Sequence, residues 1–597
     1  MKILIKISSL CSLFMIISCN QLADDVLTTG SGSSLDESVI FSTPDLAQGA
    51  VNGILNPMGE TNSYRGRWIP FYGMNTDTEW YNSSESTSND SSDLCVYDPK
   101  PNNTQMNTTN NVWAMMYQGI ERANLCIKGL RKFGNPKPGT DLGYLLGEAL
   151  TFRAVYYADL IKTFGDVPAR FDPITNDNLY VAKSSRDIIY KQLIADLGEA
   201  EDLVPWPNSN TATSTVETVN KAFVKGLRAR LALAASGYQQ YPDGVRRSTD
   251  ADLSVQKMYT LALAECRDVI NSGKARLETS FETFWKNYNQ EVITAGGESL
   301  WEIPFGSGRG RVLFTFAVNH TSIDQFQAMG TNKGGVAGPL PYVFYDYDVK
   351  DTRRDVTCVP YKWGTATNGV AKQQLGAFNK WYFGKYRFEW LAAKRLVTST
   401  NDDGVNKIYM RYPEVLLMAA ETANELEGPS SAAPYLKQIR NRAFAAADRA
   451  TKVDAYVNAL TSKQTMFNAI VEEHKLEFTG EMERKQALIR WNLLGAKLAE
   501  AKTKMTDLRN HAGNYADVPS TLYYKYATDN TTLVVYGLNR GELTNPGSGW
   551  TSFAWTDLAD TKIAALYRKD PDTRQFWPIW QVFLDSSNGK LTNDYGY

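Results

Sequence analysis

The side chains able to do covalent chemistry are few and poorly spaced for it. Three histidines occur, His320, His474 and His511. His474 stands in Glu472-Glu473-His474-Lys475, without the second histidine that HExxH requires, and reads as a solvated helix residue. No GxSxG elbow is present, and no cysteine sits in a nucleophile context. Gly306-Ser307-Gly308-Arg309-Gly310 has neither P-loop nor GxGxxG spacing and reads as a flexible loop at the rim of a site. Asp77/Glu79 and Asp346/Asp348 are the carboxylate pairs that hydrolysis of a glycosidic bond could use, but alternating acids are common in turns. The expected activity is binding, with no catalytic residue and no cofactor. No metal ligand set is assigned, and a calcium site built from loop Asp and Asn oxygens has no motif behind it.

Binding chemistry is better supplied. Aromatic residues make up 12% of the chain, including 14 Trp and 32 Tyr, and part of them fall in polar loops where burial is the weaker explanation. Tyr64-Arg65-Gly66-Arg67-Trp68 and the run from Asn75 through Asp77, Trp80 and Tyr81 to Asn82 form one such group. Arg309, Phe314, Phe316, Tyr342, Phe344, Tyr345 and Tyr347 form a second. Lys and Arg (63) nearly balance Asp and Glu (65), leaving a net charge of −2 and no basic stripe, which argues against a nucleic-acid partner.

These loops need a scaffold, and the sequence supplies helices. Residues 142–164 carry apolar side chains at Leu145, Ala149, Phe152, Tyr156 and Leu160, a stripe on one helix face, and Gly165-Asp166-Val167-Pro168 stops it. A second helix starts at Ser184, with Asp187 three residues on, runs through Ile189, Leu193, Leu197 and Ala200, and ends at Pro205. Lys221–Ser236 follows, with Gly237 as its C-cap, and then segments 256–271, 409–426, 432–446 and 463–479. Helices joined by short turns predict a mainly α, helical-repeat body. Residues 61–111, 298–406 and 507–597 are long irregular insertions rich in Gly, Asn, Ser, Thr and aromatics, and loops of that length are commonly functional.

The N-terminus is of another kind. Lys2 and Lys6 precede an apolar run from Ile7 to Ile17, too short for the roughly 20 residues of a membrane span. Ser18 then puts a small residue before Cys19, which resembles a bacterial lipobox: residues 1–18 are a signal peptide and Cys19 the lipidated mature N-terminus. Residues 19–37 read as a flexible tether and 38–597 as the body. Cys95, Cys126, Cys266 and Cys358 are too scattered to show whether disulfides form.

The helical segments together resemble the SusD/RagB family of Bacteroidetes outer-membrane lipoproteins. Trp113 through Tyr117, Ile120 and Asn124 match an early helix of that family. Gly147-Glu148 through Arg153, Tyr156-Tyr157, Asp159-Leu160 and Phe164-Gly165-Asp166-Val167-Pro168 match its most distinctive stretch. Met410-Arg411-Tyr412-Pro413-Glu414, Ile439-Arg440-Asn441-Arg442 and Leu476-Glu477-Phe478 through Arg490-Trp491 continue in family order. The chain ends on Trp577-Pro578-Ile579 and Asn593-Asp594-Tyr595-Gly596-Tyr597, where Trp580 and Asp594 replace prolines usual in the family. Arg153, Arg411 and Glu414 are expected to make ion pairs or helix-end contacts inside the scaffold.

The resemblance implies a tetratricopeptide-like scaffold whose insertions carry the ligand surface. It implies a lipid-anchored outer-membrane protein facing the cell exterior, which captures oligo- or polysaccharide and passes it to a SusC-like TonB-dependent transporter. A peptide-binding, RagB-like protein and a ligand-free scaffold for the transporter stay open. A sugar ring presents C–H-rich faces to aromatic rings and hydroxyls to amides, carboxylates and guanidinia. On that ground Trp80, Tyr81, Phe314, Tyr342 and Tyr345 are the expected aromatic contacts, with Asn75, Asp77 and Arg309 as hydrogen-bonding partners.

Overall fold

The computed structural model describes residues 35–597, so the expected signal peptide, Cys19 and nearly all of the expected tether lie outside the described residues. Asn111 caps the helix Val112–Gly129 (α1) by accepting from the Ala114 N–H, and Thr140 caps Asp141–Phe164 (α2) through Gly143. Arg186–Leu203 (α3) is capped by Ser185, one residue after the predicted start, and Lys221–Ser236 (α4) by Asn220. Val255–Ser272 (α5) ends at Gly273 in the left-handed region, φ 62°. Tyr412–Leu426 (α6), Pro429–Ala443 (α7) and Lys463–Phe478 (α8) complete the scaffold, the last opened by a Ser462/Thr465 capping box.

Two boundaries differ from the sequence reading for physical reasons. The segment predicted as helix from 409 opens instead as the strand Lys407–Arg411, paired antiparallel with Ser299–Ile303, and the helix waits for Pro413 in its first turn. The segment predicted at 432–446 begins at Pro429, again because proline suits a helix N-terminus. Each helix from α1 to α7 packs on the next, and α8 closes on α6 and α7, which makes a mainly α, helical-repeat scaffold. In α2 the stripe widens: from Gly143 to Ile161 every residue is buried, because α1, α3 and the segment 44–59 enclose it.

Several buried charges are paired. Arg153 reaches Asp196 at 2.7 Å and donates to the Asn124 side chain at 3.0 Å. Arg230 meets Glu414 at 2.5 Å, and Arg411 meets Glu298, Glu477 and Glu481 at 2.5, 3.0 and 2.7 Å. The three ion pairs expected of the scaffold are therefore present. Arg353, from the insertion between α5 and α6, reaches Glu473 and Glu477 of α8 at 2.7 and 3.0 Å, so the network also fastens the insertion to the scaffold.

The insertions are not loose loops. Residues 61–111 and 273–411 fold into short helices and strands, and Glu79–Tyr81 pairs antiparallel with Ala337–Pro339. Near the C-terminus Thr521–Tyr526 is the central strand between Leu533–Tyr536 and Thr551–Ala554, all antiparallel. These parts and the helix Leu494–Arg509 enclose a second hydrophobic core, distinct from that of the scaffold and rich in Trp80, Tyr342, Phe344, Tyr345, Trp381 and Trp555. Cys95, Cys126, Cys266 and Cys358 are buried free thiols. Among the described residues no helix is long and apolar enough to cross a membrane.

Candidate ligand-binding cleft

Most of the residues expected to contact ligand belong to this second core. Trp80 is fully buried, with the Lys562 ammonium 4.6 Å from its ring centroid. Tyr342 is buried and donates its hydroxyl to the Asp77 carbonyl. Tyr345 is buried against Phe344 and Trp381, centroids 5.2 and 6.4 Å away. These rings have no free face for a sugar, so their role as stacking platforms is corrected: their polar-looking loops are covered by distant segments around Trp555 and Leu498.

The two polar residues of that group are likewise spent on the protein. Asp77 takes a two-pronged contact from Arg484 at 2.8 and 2.7 Å, and although burial pushes its carboxyl upward, Arg484 holds it below the usual carboxylate range. Asn75, at φ 60°, donates to the carbonyls of Ala565 and Leu566. Its side-chain oxygen accepts the Tyr81 N–H at 2.9 Å, so Asn75 positions Tyr81.

The carboxylate pairs are structural as well. Glu79 accepts the Gly480 N–H at 2.7 Å, and burial pushes its carboxyl up to about 7. Asp346 holds Lys475, Lys504 and the Tyr515 hydroxyl at 2.8 to 2.9 Å; burial works against ionisation, but the two lysines hold it down at about 2. Asp348 pairs with Lys452. His474 is not solvated: it is buried between Phe478 and Trp491, and burial with Arg484 and Arg490 keeps its pKa well below the ordinary value.

Tyr81 is the exception. Half-buried, it lies edge-on to Phe71 at 5.7 Å and lines a cleft of 450 Å³ together with Asn82, Asn319, Asn332, Lys362, Lys380 and Tyr382. Consecutive glycines shape its wall. Gly334 and Gly335 sit at φ 83° and 77°, and a Cβ on Gly335 would meet the Tyr382 ring at 2.6 Å. The amides are fixed to this turn: Asn82 donates to the Gly335 carbonyl at 2.9 Å and Asn319 to that of Gly334 at 3.0 Å. The side-chain oxygen of Asn82 is buried and has no hydrogen-bond partner. Lys362 comes from the hairpin strand Tyr361–Trp363, and Tyr382 from Tyr382–Phe383, which pairs with Cys358–Val359.

Arg309 and Phe314 lie on a neighbouring segment. Arg309 is exposed, and its carbonyl accepts the Gly404 N–H at 2.7 Å. Gly306, Ser307 and Gly308 line a further cavity of 610 Å³ with Asp402 and Asp403, so this glycine-rich run does border an opening. Phe314 is half-buried under the Lys333 ammonium, 5.6 Å from its ring centroid. Neither residue lines the cleft at Tyr81.

That cleft is lined by a half-buried tyrosine, three asparagines and two lysines, with no carboxylate or histidine in its lining. Residues of these types can pack on an apolar ring face and exchange hydrogen bonds with hydroxyls. Asn319, Asn332, Lys362, Lys380 and Tyr382 had no signal of their own in the sequence; only the double glycine at 334–335 marked the turn that gathers them.

Comparison with known proteins bears on the fold and the family. Residues 315–597 match the model of the "SusD family", and residues 46–233 that described as "Starch-binding associating with outer membrane". SusD-like protein P2 of Formosa agariphila is 26% identical over 499 residues, 80% of this chain and 89% of that protein. SusD-like protein P25 of the same organism is 23% identical over 456 residues, 72% of this chain and 75% of that protein. A SusD homolog from Bacteroides thetaiotaomicron superposes with a TM-score of 0.71 at 18% identity, covering 95% of this chain and 99% of that one. Surface glycan-binding protein A of the same organism, solved with laminarihexaose, gives 0.60 at 17% identity over 92% and 99%. At such identities the two solved structures speak for the shared fold.

Proposed function

The chain belongs to the SusD family, and from that premise we propose that it is a surface glycan-binding protein whose ligand lies in the cleft at Tyr81. The observation that carries this reading is the union of a half-exposed tyrosine with Asn82, Asn319 and Asn332 around a glycine turn. The laminarihexaose-bound relative of like fold supports a glycan as the ligand class. Asn82 and Asn319, fixed to the glycine turn, supply the local polar groups for sugar hydroxyls.

The protein acts by binding rather than catalysis. It is anchored at the outer membrane through lipid on Cys19, faces the exterior, and hands its glycan to a SusC-like TonB-dependent transporter. Outer-membrane association is supported by the family description matched by residues 46–233. A few contacts in an open cleft suit modest affinity, between roughly mM and μM, because one stacking contact of about 1 kcal/mol does little against the cost of association.

Affinity electrophoresis through gels holding different polysaccharides, beside a peptide-binding assay, tests the reading. Retardation by at least one polysaccharide, lost in Asn319→Ala and Asn332→Ala with the melting temperature kept, is the expected result. Binding of peptides and of no glycan overturns it.

A further inference from the structure

Resting on the glycan reading, we propose that the cleft is built for a glycan carrying oxyanion substituents, carboxylate or sulfate ester, held by Lys362 and Lys380. Both lysines line the cleft, and no Asp or Glu does. Among the described residues neither ammonium has a carboxylate within ion-pair distance, nor any side-chain hydrogen bond. Lys362 is half-buried and Lys380 exposed, so both ammonium groups are open to a ligand, whereas some enclosed lysines are spent on the protein. Lys225 meets Glu201, Glu265 and Asp268, and Lys562, nearby under Trp80, meets Glu85.

Burial first, and then the charge of Lys362, push the Lys380 pKa below its ordinary value, with Glu85 acting the other way. An oxyanion between them relieves that repulsion and takes charge-assisted hydrogen bonds from both. The same sign of charge continues past the cleft. Asn332, in its lining, is followed by Lys333, which donates only to the Asn401 side chain. Lys333 lies close enough to Arg311 for that charge to depress it after burial, and Arg311 does the same to Arg67. Asp402 serves this group but is also taken by Arg65. An acidic glycan in the cleft would meet the Lys362 and Lys380 ammonium groups, whereas a neutral glycan would leave them uncompensated.

The test is isothermal titration of the whole protein with a neutral β-glucan, a polyuronate and a sulfated galactan, at about 50 and about 500 mM NaCl. The inference predicts preference for one of the acidic polymers, weakened by salt, and the polymer bound tells carboxylate from sulfate. Lys362→Gln/Lys380→Gln should lose about tenfold in affinity for it, a larger loss than for the neutral glucan, with the melting temperature unchanged, and Lys362→Arg/Lys380→Arg should recover most of the loss. Neutral glucan bound as tightly as either acidic polymer, without salt dependence, overturns the inference and leaves the glycan reading standing. Acidic binding untouched in the glutamine double variant does the same. No binding to any of the three overturns both.

Discussion

Phe152 in α2 and Trp80 in the first insertion are both buried aromatic side chains, but they are buried by different means. Phe152 belongs to a run of apolar residues at helical spacing and meets Trp301 at 6.0 Å and its neighbouring helices. Its environment is written largely into the residues around it. Trp80 sits between Glu79 and Tyr81 in a short strand and is covered by Lys562, almost five hundred positions away in the chain, and by a core drawn from the C-terminal part. The scaffold is a local structure repeated; the insertions are a mosaic held by long-range contacts. The proposed cleft falls at the seam of the mosaic, where Tyr81 lines it and Trp80 does not.

The contrast can be broken most forcefully where the two regions are fastened. Arg411→Ala removes the cation that Glu298, Glu477 and Glu481 share in a closed space, and should cost on the order of 5 kcal/mol. The expected result is a large fall in melting temperature with loss of the two-core structure as one unit. A variant as stable as wild type would mean that the network is not what joins the regions. Trp80→Ala should cost about 4 kcal/mol by opening a cavity in the second core, read as a lower melting temperature; near-unchanged stability would return Trp80 to the list of surface platforms.

A smaller effect follows from Glu79. Burial lifts its carboxyl from 4.5 to about 7. Below the unfolded value both states are protonated. Between about 4.5 and about 7 the native state keeps a proton that the unfolded state has released, so stability falls as pH rises through this window. Glu79→Gln should remove that slope and raise stability at pH 8 by on the order of 2 kcal/mol, with little gain at pH 4. An equal gain at both pH values would show that the carboxyl is not titrating in this range.

What could be read from the sequence follows the same division. Lys221–Ser236 emerged with its bounds intact, and α2, α3 and α8 within a residue or so, because a 3.6-residue period and a polar cap are local signals. The strand Lys407–Arg411 was hidden in a helical stretch because its partner, Ser299–Ile303, lies across the insertion. Asn75 and Asp77 looked like ligand donors, since nothing near them reveals Ala565, Leu566 or Arg484. Tyr81 stands out in the sequence as a loop aromatic, but the other residues lining the proposed cleft, Asn319, Asn332, Lys362, Lys380 and Tyr382, come from turns and hairpins that only tertiary folding brings together.

The adjacent residues Trp80 and Tyr81 give the most direct test of the claim that ligand is taken by the cleft and not by the aromatic core. Melting temperature and glycan affinity should be measured together for Trp80→Ala and Tyr81→Ala. Tyr81→Ala is expected to weaken glycan binding by about 1 kcal/mol, roughly fivefold, at an almost unchanged melting temperature, while Trp80→Ala lowers the melting temperature strongly. Wild-type affinity in Tyr81→Ala, or affinity lost at full stability in Trp80→Ala, would contradict the account.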